Sequence, residues 1–160
     1  ILTISDSRDE NSDTSGQALV DGLQSAGHLL AEKLIVPDDI YIIRRELSRW
    51  IVDREVQVVI PNGGSGLTGR DGTPEAVEPL LDRTIEGFGE LFRWISVKEV
   101  GTSTIASRAL AGVANGTFRF CLPGSTNACK TGWNQIIESQ LDSRNRPCNL
   151  SELLPRLMES

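Results

Sequence analysis

Short apolar segments, separated by longer segments of helical periodicity, run along the whole chain. Ile1–Ile4 is rich in β-branched residues and predicts a strand, and Leu29–Val36 and Val56–Ile60 predict two more. Val56–Ile60 lacks regular alternation, which is typical of a central strand covered on both faces. Residues 118–122 alternate and predict a further strand, which ends at Pro123.

Helices are predicted between these strands because apolar residues recur every three or four positions. Ile40–Ile51 has the most regular stripe, and residues 103–114 are a shorter, alanine-rich candidate. Strands that alternate with helices favour α/β architecture, with an open, mainly parallel sheet and helices on both faces. We expect one domain over residues 1–160, with 144–160 as an extended C-terminal arm. The predicted helices are Asp13–Gly27, Ile40–Ile51, Thr73–Leu81, Ile85–Ile95, 103–114 and Cys129–Leu141, with Asp13 and Thr73 as caps.

Composition and charge limit the classes of protein to which the chain can belong. Apolar residues make up 39% and charged residues 24%, as in ordinary globular proteins, and no apolar segment is long enough for a bilayer. The net charge of −6 and the scattered basic residues argue against a nucleic-acid partner. The cysteines at 121, 129 and 148 have no metal-ligand spacing, which favours reduced thiols in a cytoplasmic protein. Because Ile1 lies inside a predicted strand, we expect a short segment before it.

The strongest local signal is a glycine-rich loop directly after the apolar segment 56–60. Gly63, Gly64 and Gly66 fall within four residues, and Ser65 adds a hydroxyl donor. Glycine permits positive φ and lets backbone N–H groups approach a phosphate closely. The loop matches neither the Walker pattern nor the Rossmann pattern. A plain flexible turn therefore stays open as the alternative to a phosphate site.

Acidic residues follow two of the predicted strand ends. Asp71 closes the glycine-rich segment, and Asp38 follows the second strand. Ligands of open α/β sheets bind at the carboxyl ends of strands, where two carboxylates and a phosphate can share Mg²⁺. Each aspartate could instead be a turn or capping residue. Ser125 follows the last strand, where capping of the final helix is the favoured interpretation over ligand contact.

Several motifs occur in a fixed order along nearly the whole chain. The longest is Asn62–Gly66 followed by Arg70–Ala76, and it is similar to the T-G-G-T-G and R-D-V-T-P-E-A signature of the MoaB/MogA family of molybdenum cofactor biosynthesis proteins. Pro123–Cys129 and Arg146–Asn149 resemble the MoaB branch of that family. The other matching segments are Ser5–Ser7, Asp13–Gly16, Val36–Asp39, Gly87–Glu90 and Leu122–Gly124.

This resemblance implies a three-layer α/β/α domain that assembles as a trimer or a dimer of trimers. It also implies adenylyl transfer from ATP to molybdopterin with Mg²⁺ as cofactor. The family's two functional aspartates fall on Asp38 and Asp71, as catalytic residues and as ligands of the metal. The residues implied for phosphate and substrate binding are Gly63, Gly64, Ser65, Gly66, Ser5, Asp6, Glu90 and Ser125.

The sequence departs from the family signature in ways that bear on activity. Asn62 and Ser65 stand where threonines are usual, and Gly72 stands where valine is usual; we expect the larger change at Asn62 to alter substrate fit. Some MoaB-branch proteins lack the two aspartates, which implies that they are not active enzymes, whereas this chain keeps both. Three interpretations stay open: an adenylyltransferase, a non-catalytic molybdopterin-binding or scaffold protein, and an unrelated nucleotide or sugar-phosphate enzyme.

Overall fold

Parallel strands form the centre of the structure, a computed structural model that describes residues 1–159. The strands are β1 (Leu2–Ile4), β2 (Leu34–Val36), β3 (Val58–Val59), β4 (Pro61–Asn62), β5 (Arg83–Thr84), β6 (Leu110–Ala114) and β7 (Thr117–Cys121). Their order is β2-β1-β4 in one half of the sheet and β3-β7-β6-β5 in the other. The pairs β1–β2, β1–β4 and β3–β7 are parallel, and β6 is antiparallel to both β5 and β7.

The two halves of the sheet meet along residues 58–62. Strands β3 and β4 are consecutive pieces of one extended segment, separated by Ile60, whose carbonyl accepts a hydrogen bond from the Leu2 amide at 3.1 Å. Asn62 then bridges in parallel to Leu122, directly after β7. The carboxyl ends of β1, β2, β4 and β7 consequently lie along one edge, which confirms the mainly parallel α/β arrangement.

The helices begin where the sequence places capping side chains. The Asp13 carboxylate accepts a hydrogen bond from the Gly16 amide at 2.9 Å, and the Asp39 carboxylate accepts from the amides of Tyr41 and Ile42 at 2.9 and 3.0 Å. The helices are α1 (Thr14–Ser25), α2 (Ile40–Ile51), α3 (Thr73–Val77), α4 (Glu86–Val100), α5 (Thr126–Gly132) and α6 (Glu138–Gln140), with a π-helical turn at Trp133–Ile137 and 3₁₀ turns at Glu78–Leu80, Gly101–Ala106 and Ser151–Arg156.

Two hydrophobic clusters cover the two faces of the sheet. Phe118 and Phe120 of β7 pack with α1, α4 and α5 on one face. Cys121 of β7 packs with α2 and α3 on the other. The neighbouring residues Val59 and Ile60 also face opposite sides, since Ile60 belongs to the first cluster and Val59 to the second. The central segment is therefore covered on both faces, as its lack of regular alternation predicts.

The predicted helix over 103–114 is wrong. Residues 101–106 form the 3₁₀ turn, and 110–114 form β6, which pairs with β7 through a tight hairpin. Asn115 and Gly116 occupy the hairpin turn with φ of 48° and 78°, as Asn-Gly turns between antiparallel strands do. Small residues suit β6 because a Cβ at Gly112 would lie 2.6 Å from the Arg83 carbonyl oxygen.

Three smaller expectations also need correction. Strand β2 is shorter than predicted, because residues 29–33 form no strand. The cap of α3 is Gly72, and Thr73 is the first helical residue. The segment 144–160 is not an extended arm over its described part, since the Leu150 amide donates to the Gln140 carbonyl at 3.0 Å and the 3₁₀ turn follows it. The Leu154 side chain then packs against the cluster on the α1 face.

Within residues 1–159, none of the helices has the length and apolar character needed to cross a membrane.

Candidate functional site

The candidate site is a cavity of about 700 Å³ at the carboxyl edge of the central strands. The loops after β1, β4 and β7 form its floor, and the end of α4 with the following 3₁₀ turn forms the opposite wall. The loops after β4 and β7 touch, because a Cβ at Gly124 would lie only 3.0 Å from the Gly63 Cα. The cavity includes Ile4, Ser5, Arg8, Gly63, Gly64, Ser65, Gly66, Asp71, Ser96, Glu99, Ser107, Gly124 and Ser125.

The glycine-rich loop needs glycine for both conformation and space. Gly63 and Gly64 have φ of 101° and 59°, in the region that side chains disfavour. A Cβ at Gly63 would also collide with the Ile4 carbonyl, because the loop crosses directly over the end of β1. This is a fixed close crossing of two backbones, and it argues against the plain flexible turn.

Thr73 holds the carbonyl groups of this loop. Its hydroxyl donates to the Gly63 carbonyl at 2.8 Å, and its amide donates to the Gly64 carbonyl at 2.9 Å. Across residues 1–159, the amides of Gly64 and Ser65 donate to no protein acceptor. Carbonyls that are tied down beside free amides are what a backbone anion-binding concavity requires.

Asp38 and Asp71 flank the same loop, one from each side. A Cβ on Gly64 would lie 2.5 Å from Asp38 Oδ2, and a Cβ on Gly66 would lie 2.7 Å from Asp71 Oδ2. Asp38 Oδ1 accepts from the Gly72 amide at 3.2 Å. The two aspartates come from loops 33 residues apart in the chain, and the fold brings both against the glycine-rich segment.

The two carboxyl groups differ in their electrostatic environment. Burial, and then the negative charges of Asp71 and Asp6, raise the pKa of Asp38. The hydrogen bond from the Thr68 hydroxyl, at 2.6 Å, and the bond from the Thr68 amide lower the pKa of Asp71. Like charges therefore crowd Asp38, and a cation beside it would relieve that repulsion.

The other predicted site residues lie at different places relative to the cavity. Ser5 lies in the cavity wall. Asp6 accepts from the Asp38 amide at 3.2 Å and pairs with Arg70, so it borders both aspartate loops. Ser125 lines the cavity and also caps α5 by accepting from the Ala128 amide at 3.2 Å, as the favoured interpretation predicts.

Asp38 and Asp6 border the loops around the cavity without lining it, whereas Glu90 lies away from both the cavity and these loops. It is exposed on α4 and is not part of the cavity wall, because α4 turns Phe88 and Phe92 towards the core and Glu90 away from it. The structure of this single chain therefore does not bring Glu90 to the site.

Asn62, which we expect to alter substrate fit, does not line the cavity, and any effect on fit would have to be indirect. Its side chain is fully buried below the loop. Its amide group donates to the Thr3 hydroxyl at 3.0 Å, and its carbonyl accepts from the Ser15 hydroxyl at 2.8 Å. These partners also contact the buried carboxylate of Asp13, so Asn62 belongs to the polar support of the loop.

Two arginines at the site were missed by the sequence reasoning. Arg8 lines the cavity and donates to the Ser15 hydroxyl and, at 2.8 Å, to the Gly124 carbonyl. Its position beside the Ser5–Ser7 motif is the signal that could have identified it. Arg108 contacts the glycine-rich loop from 37 to 42 residues away, and no local pattern marks it.

The donor set fits a metal ion only in part. Within the described residues, no group of three or more histidine, cysteine, aspartate or glutamate side chains could hold a metal by itself. Two carboxylates beside a phosphate site suit Mg²⁺, which usually takes one or two carboxylates and completes its shell with substrate phosphates and water.

Comparisons with known proteins show which family this chain is similar to. A family model described as "Probable molybdopterin binding domain" matches residues 1–143. Molybdenum cofactor biosynthesis protein B of Escherichia coli strain K12 is 56% identical over 149 residues, which cover 93% of this chain and 88% of that protein. The protein of the same name from Bacillus cereus is 44% identical and covers 88% and 84%. The crystal structure of the tungsten cofactor synthesizing protein MoaB from Pyrococcus furiosus has a TM-score of 0.76 at 38% identity, covering 88% and 89%.

Proposed function

Since the chain belongs to the MoaB/MogA family of molybdenum cofactor biosynthesis proteins, on its MoaB branch, we propose that it binds molybdopterin and adenylylates it with ATP. The observation that carries this proposal is the convergence of Asp38 and Asp71 on one glycine-rich loop whose Gly64 and Ser65 amides have no acceptor among the described residues. A loop of this kind offers an oxyanion two backbone donors, and the adjacent carboxylates offer a position for a cation.

The loop would hold the terminal phosphate of molybdopterin. Backbone amides bind phosphate without any need for net positive charge, so the acidic composition of the chain is compatible with this role. The Gly63 and Gly64 carbonyls, which would repel an anion, are tied to Thr73. The Ser65 hydroxyl is a further donor in the cavity wall.

Asp38 and Asp71 would hold Mg²⁺ together with phosphate oxygens. When bound, the ion supplies charge neutralisation on the reacting phosphates. The raised pKa of Asp38 accords with this role, because burial and two neighbouring carboxylates disfavour its charge until a cation balances it.

The reaction needs no general base. An oxygen of the molybdopterin phosphate, already anionic at neutral pH, attacks the α-phosphorus of ATP. The bond from the α-phosphorus to the oxygen that bridges the α- and β-phosphates breaks, and its electron pair leaves with pyrophosphate. The protein therefore has to align the two phosphates and offset their charge. A site with no histidine in its wall suffices for that work.

The second candidate is a protein that binds molybdopterin without turnover. The relatives on the MoaB branch favour it, because their names state a pathway and no reaction. The loop geometry serves both candidates equally, and only the two aspartates separate them. An unrelated nucleotide or sugar-phosphate enzyme loses its support, since the family is shown.

Self-association as a trimer or dimer of trimers and a cytoplasmic location stay predictions from the family resemblance. Leu91, Trp94 and Val97 of α4 are exposed, and an apolar patch of this kind is often buried by a partner.

Pyrophosphate release tests the proposed reaction. The chain is incubated with molybdopterin, ATP and Mg²⁺, and release is compared for the wild type, Asp71→Ala and the control Asp53→Ala. Asp53 is an exposed aspartate in the turn after α2. We expect Asp71→Ala to lower turnover by about 100-fold or more while molybdopterin binding stays close to that of the wild type. Asp53→Ala should change neither quantity.

Two outcomes would contradict the proposal in different ways. Tight molybdopterin binding by the wild type without pyrophosphate release removes adenylyl transfer and leaves the binding function. Turnover in Asp71→Ala equal to that of Asp53→Ala removes the role assigned to Asp71.

A further inference from the structure

Arg108 lies between β6 and the cavity and reaches across to the glycine-rich segment. Its Nε donates to the Gly66 carbonyl at 2.8 Å, and its Nη2 donates to the Asp71 carbonyl at 2.7 Å. Its Nη1 pairs with Glu75 in the first turn of α3. One guanidinium therefore holds both ends of the segment 66–71 and the helix that follows it.

We propose that Arg108 is a positioning residue, which orients the loop for anion binding by turning the Gly66 and Asp71 carbonyls away from the cavity. Thr73 does the same for the carbonyls of Gly63 and Gly64. The two residues together occupy four carbonyl groups in the loop that would otherwise be free to point at a bound phosphate.

The contact is specific for arginine. A guanidinium presents several donors in a fixed planar fork, whereas a lysine ammonium is a point charge on a flexible stem. Only 27% of the Arg108 side chain is exposed, so water competes weakly for these donors. The residues between the two anchored carbonyls, Leu67–Arg70, are all exposed. Their other restraints are the hydrogen bonds between Thr68 and Asp71 inside the segment and the pair of Arg70 with Asp6, so the guanidinium is one of the few contacts that tie the segment to the rest of the chain.

The restraint also sets the place of Asp71. The side chain of Asp71 lines the cavity, while its backbone carbonyl bonds to Arg108. If the Asp71 carbonyl lost its hydrogen bond to Arg108, the backbone of Asp71 could move, and its carboxylate would move with it. The part of the inference that concerns molybdopterin rests on the proposed function, and the part that concerns the loop conformation does not.

Hydrogen exchange with mass spectrometry on the full chain tests the loop conformation. The comparison is between wild type, Arg108→Met and the control Arg44→Met. Arg44 is a matched control because it also donates to two backbone carbonyls, those of Glu75 and Ala76, in α3 and outside the loop. We expect the hydrogen-bonded amides of Thr68, Asp71 and Gly72 to exchange about 10- to 100-fold faster in Arg108→Met, as the loss of one or two charge-assisted hydrogen bonds implies. Peptides from β1, α1 and β7 should be unchanged.

Molybdopterin titration of the same proteins is the second readout. We expect the dissociation constant for molybdopterin to rise about tenfold or more in Arg108→Met and to stay near the wild-type value in Arg44→Met. Arg108→Lys keeps the charge but cannot bridge both carbonyls at once, so its exchange rates should fall between those of the wild type and Arg108→Met. Arg108→Lys also decides the question if Arg108→Met does not fold.

The results separate this inference from the proposed function. Faster exchange confined to residues 66–72 supports the positioning role even if the wild type never releases pyrophosphate. If both Arg108 variants exchange and bind like Arg44→Met, or if their exchange rises evenly across the whole chain, the positioning role is refuted.

Discussion

Asp13 and Arg119 are two charged side chains that the fold buries, and their surroundings differ completely. The Asp13 carboxylate, with 0% of its side chain exposed, accepts from the Thr3 hydroxyl at 2.8 Å and the Gly16 amide at 2.9 Å. Lys33 lies 3.1 Å from it. Burial opposes its ionisation, but these hydrogen bonds and the lysine charge together lower the pKa of Asp13.

Arg119 of β7 is also fully buried, yet none of its three side-chain nitrogens has a hydrogen-bond partner within residues 1–159. Burial lowers its pKa to about 10. Asp13 supports Ser15 and Asn62 below the glycine-rich loop, whereas Arg119 orients no described polar group. The comparison teaches that burial alone does not decide the cost of a charge in this fold, because the partners of Asp13 offset its burial whereas Arg119 has none among the described residues.

Asp13→Ala should have the largest effect on stability. It removes the cap of α1 and leaves Lys33 and Thr3 beside an apolar methyl group. We expect the free energy of unfolding in urea to fall by about 3–5 kcal/mol, as for a broken buried ion pair. The control Asp21→Ala, on the exposed side of the same helix, should change it by about 0.5 kcal/mol or less. Equal losses in the two variants would show that the buried network adds nothing.

Arg119→Met should have the opposite sign. It replaces an unpaired buried cation by an apolar side chain of similar length, so we expect the free energy of unfolding to rise by about 1–4 kcal/mol. Arg83→Met, at an exposed position of β5, is the matched control and should be nearly neutral. A fall in stability in Arg119→Met relative to Arg83→Met would mean that Arg119 has a compensating partner.

Asn62→Thr should have the smallest effect of the three and restores the residue usual in the family. The change removes the amide donor to Thr3 and the acceptor for Ser15, and should cost about 1–2 kcal/mol of unfolding free energy. Molybdopterin affinity should stay unchanged, because Asn62 points into the interior. The exposed Asn134→Thr is the control for stability. A changed affinity in Asn62→Thr would return Asn62 to the substrate space.

The sequence predicts those parts of the fold that depend on local pattern. The glycine-rich loop after a buried strand, the cap at Asp13, and the regular stripe of α2 all follow from neighbours in the chain. The helix predicted over 103–114 fails for a local reason too. Alanine is a strong helix former and favours a helix over 103–114. The Asn115-Gly116 dipeptide favours a hairpin between two strands, and this preference outweighs that of alanine.

The parts of the site that could not be predicted depend on contacts between distant residues. Arg108 contacts Gly66 and Asp71 across sequence separations of 42 and 37 residues, and the position of β6 in the sheet brings them together. The inward orientation of Asn62 depends on Ser15, which is 47 positions away. Hydrophobic periodicity does not indicate such contacts, because the direction of a side chain at the end of a strand depends on the distant residues that pack around it.

A structure of the chain with bound molybdopterin tests the central claim most directly. The account predicts oxygen atoms of the terminal phosphate within about 3.2 Å of the amide nitrogens of both Gly64 and Ser65, with the carboxylates of Asp38 and Asp71 on either side. A terminal phosphate held by side chains elsewhere in the cavity, with those two amides left free, would contradict it.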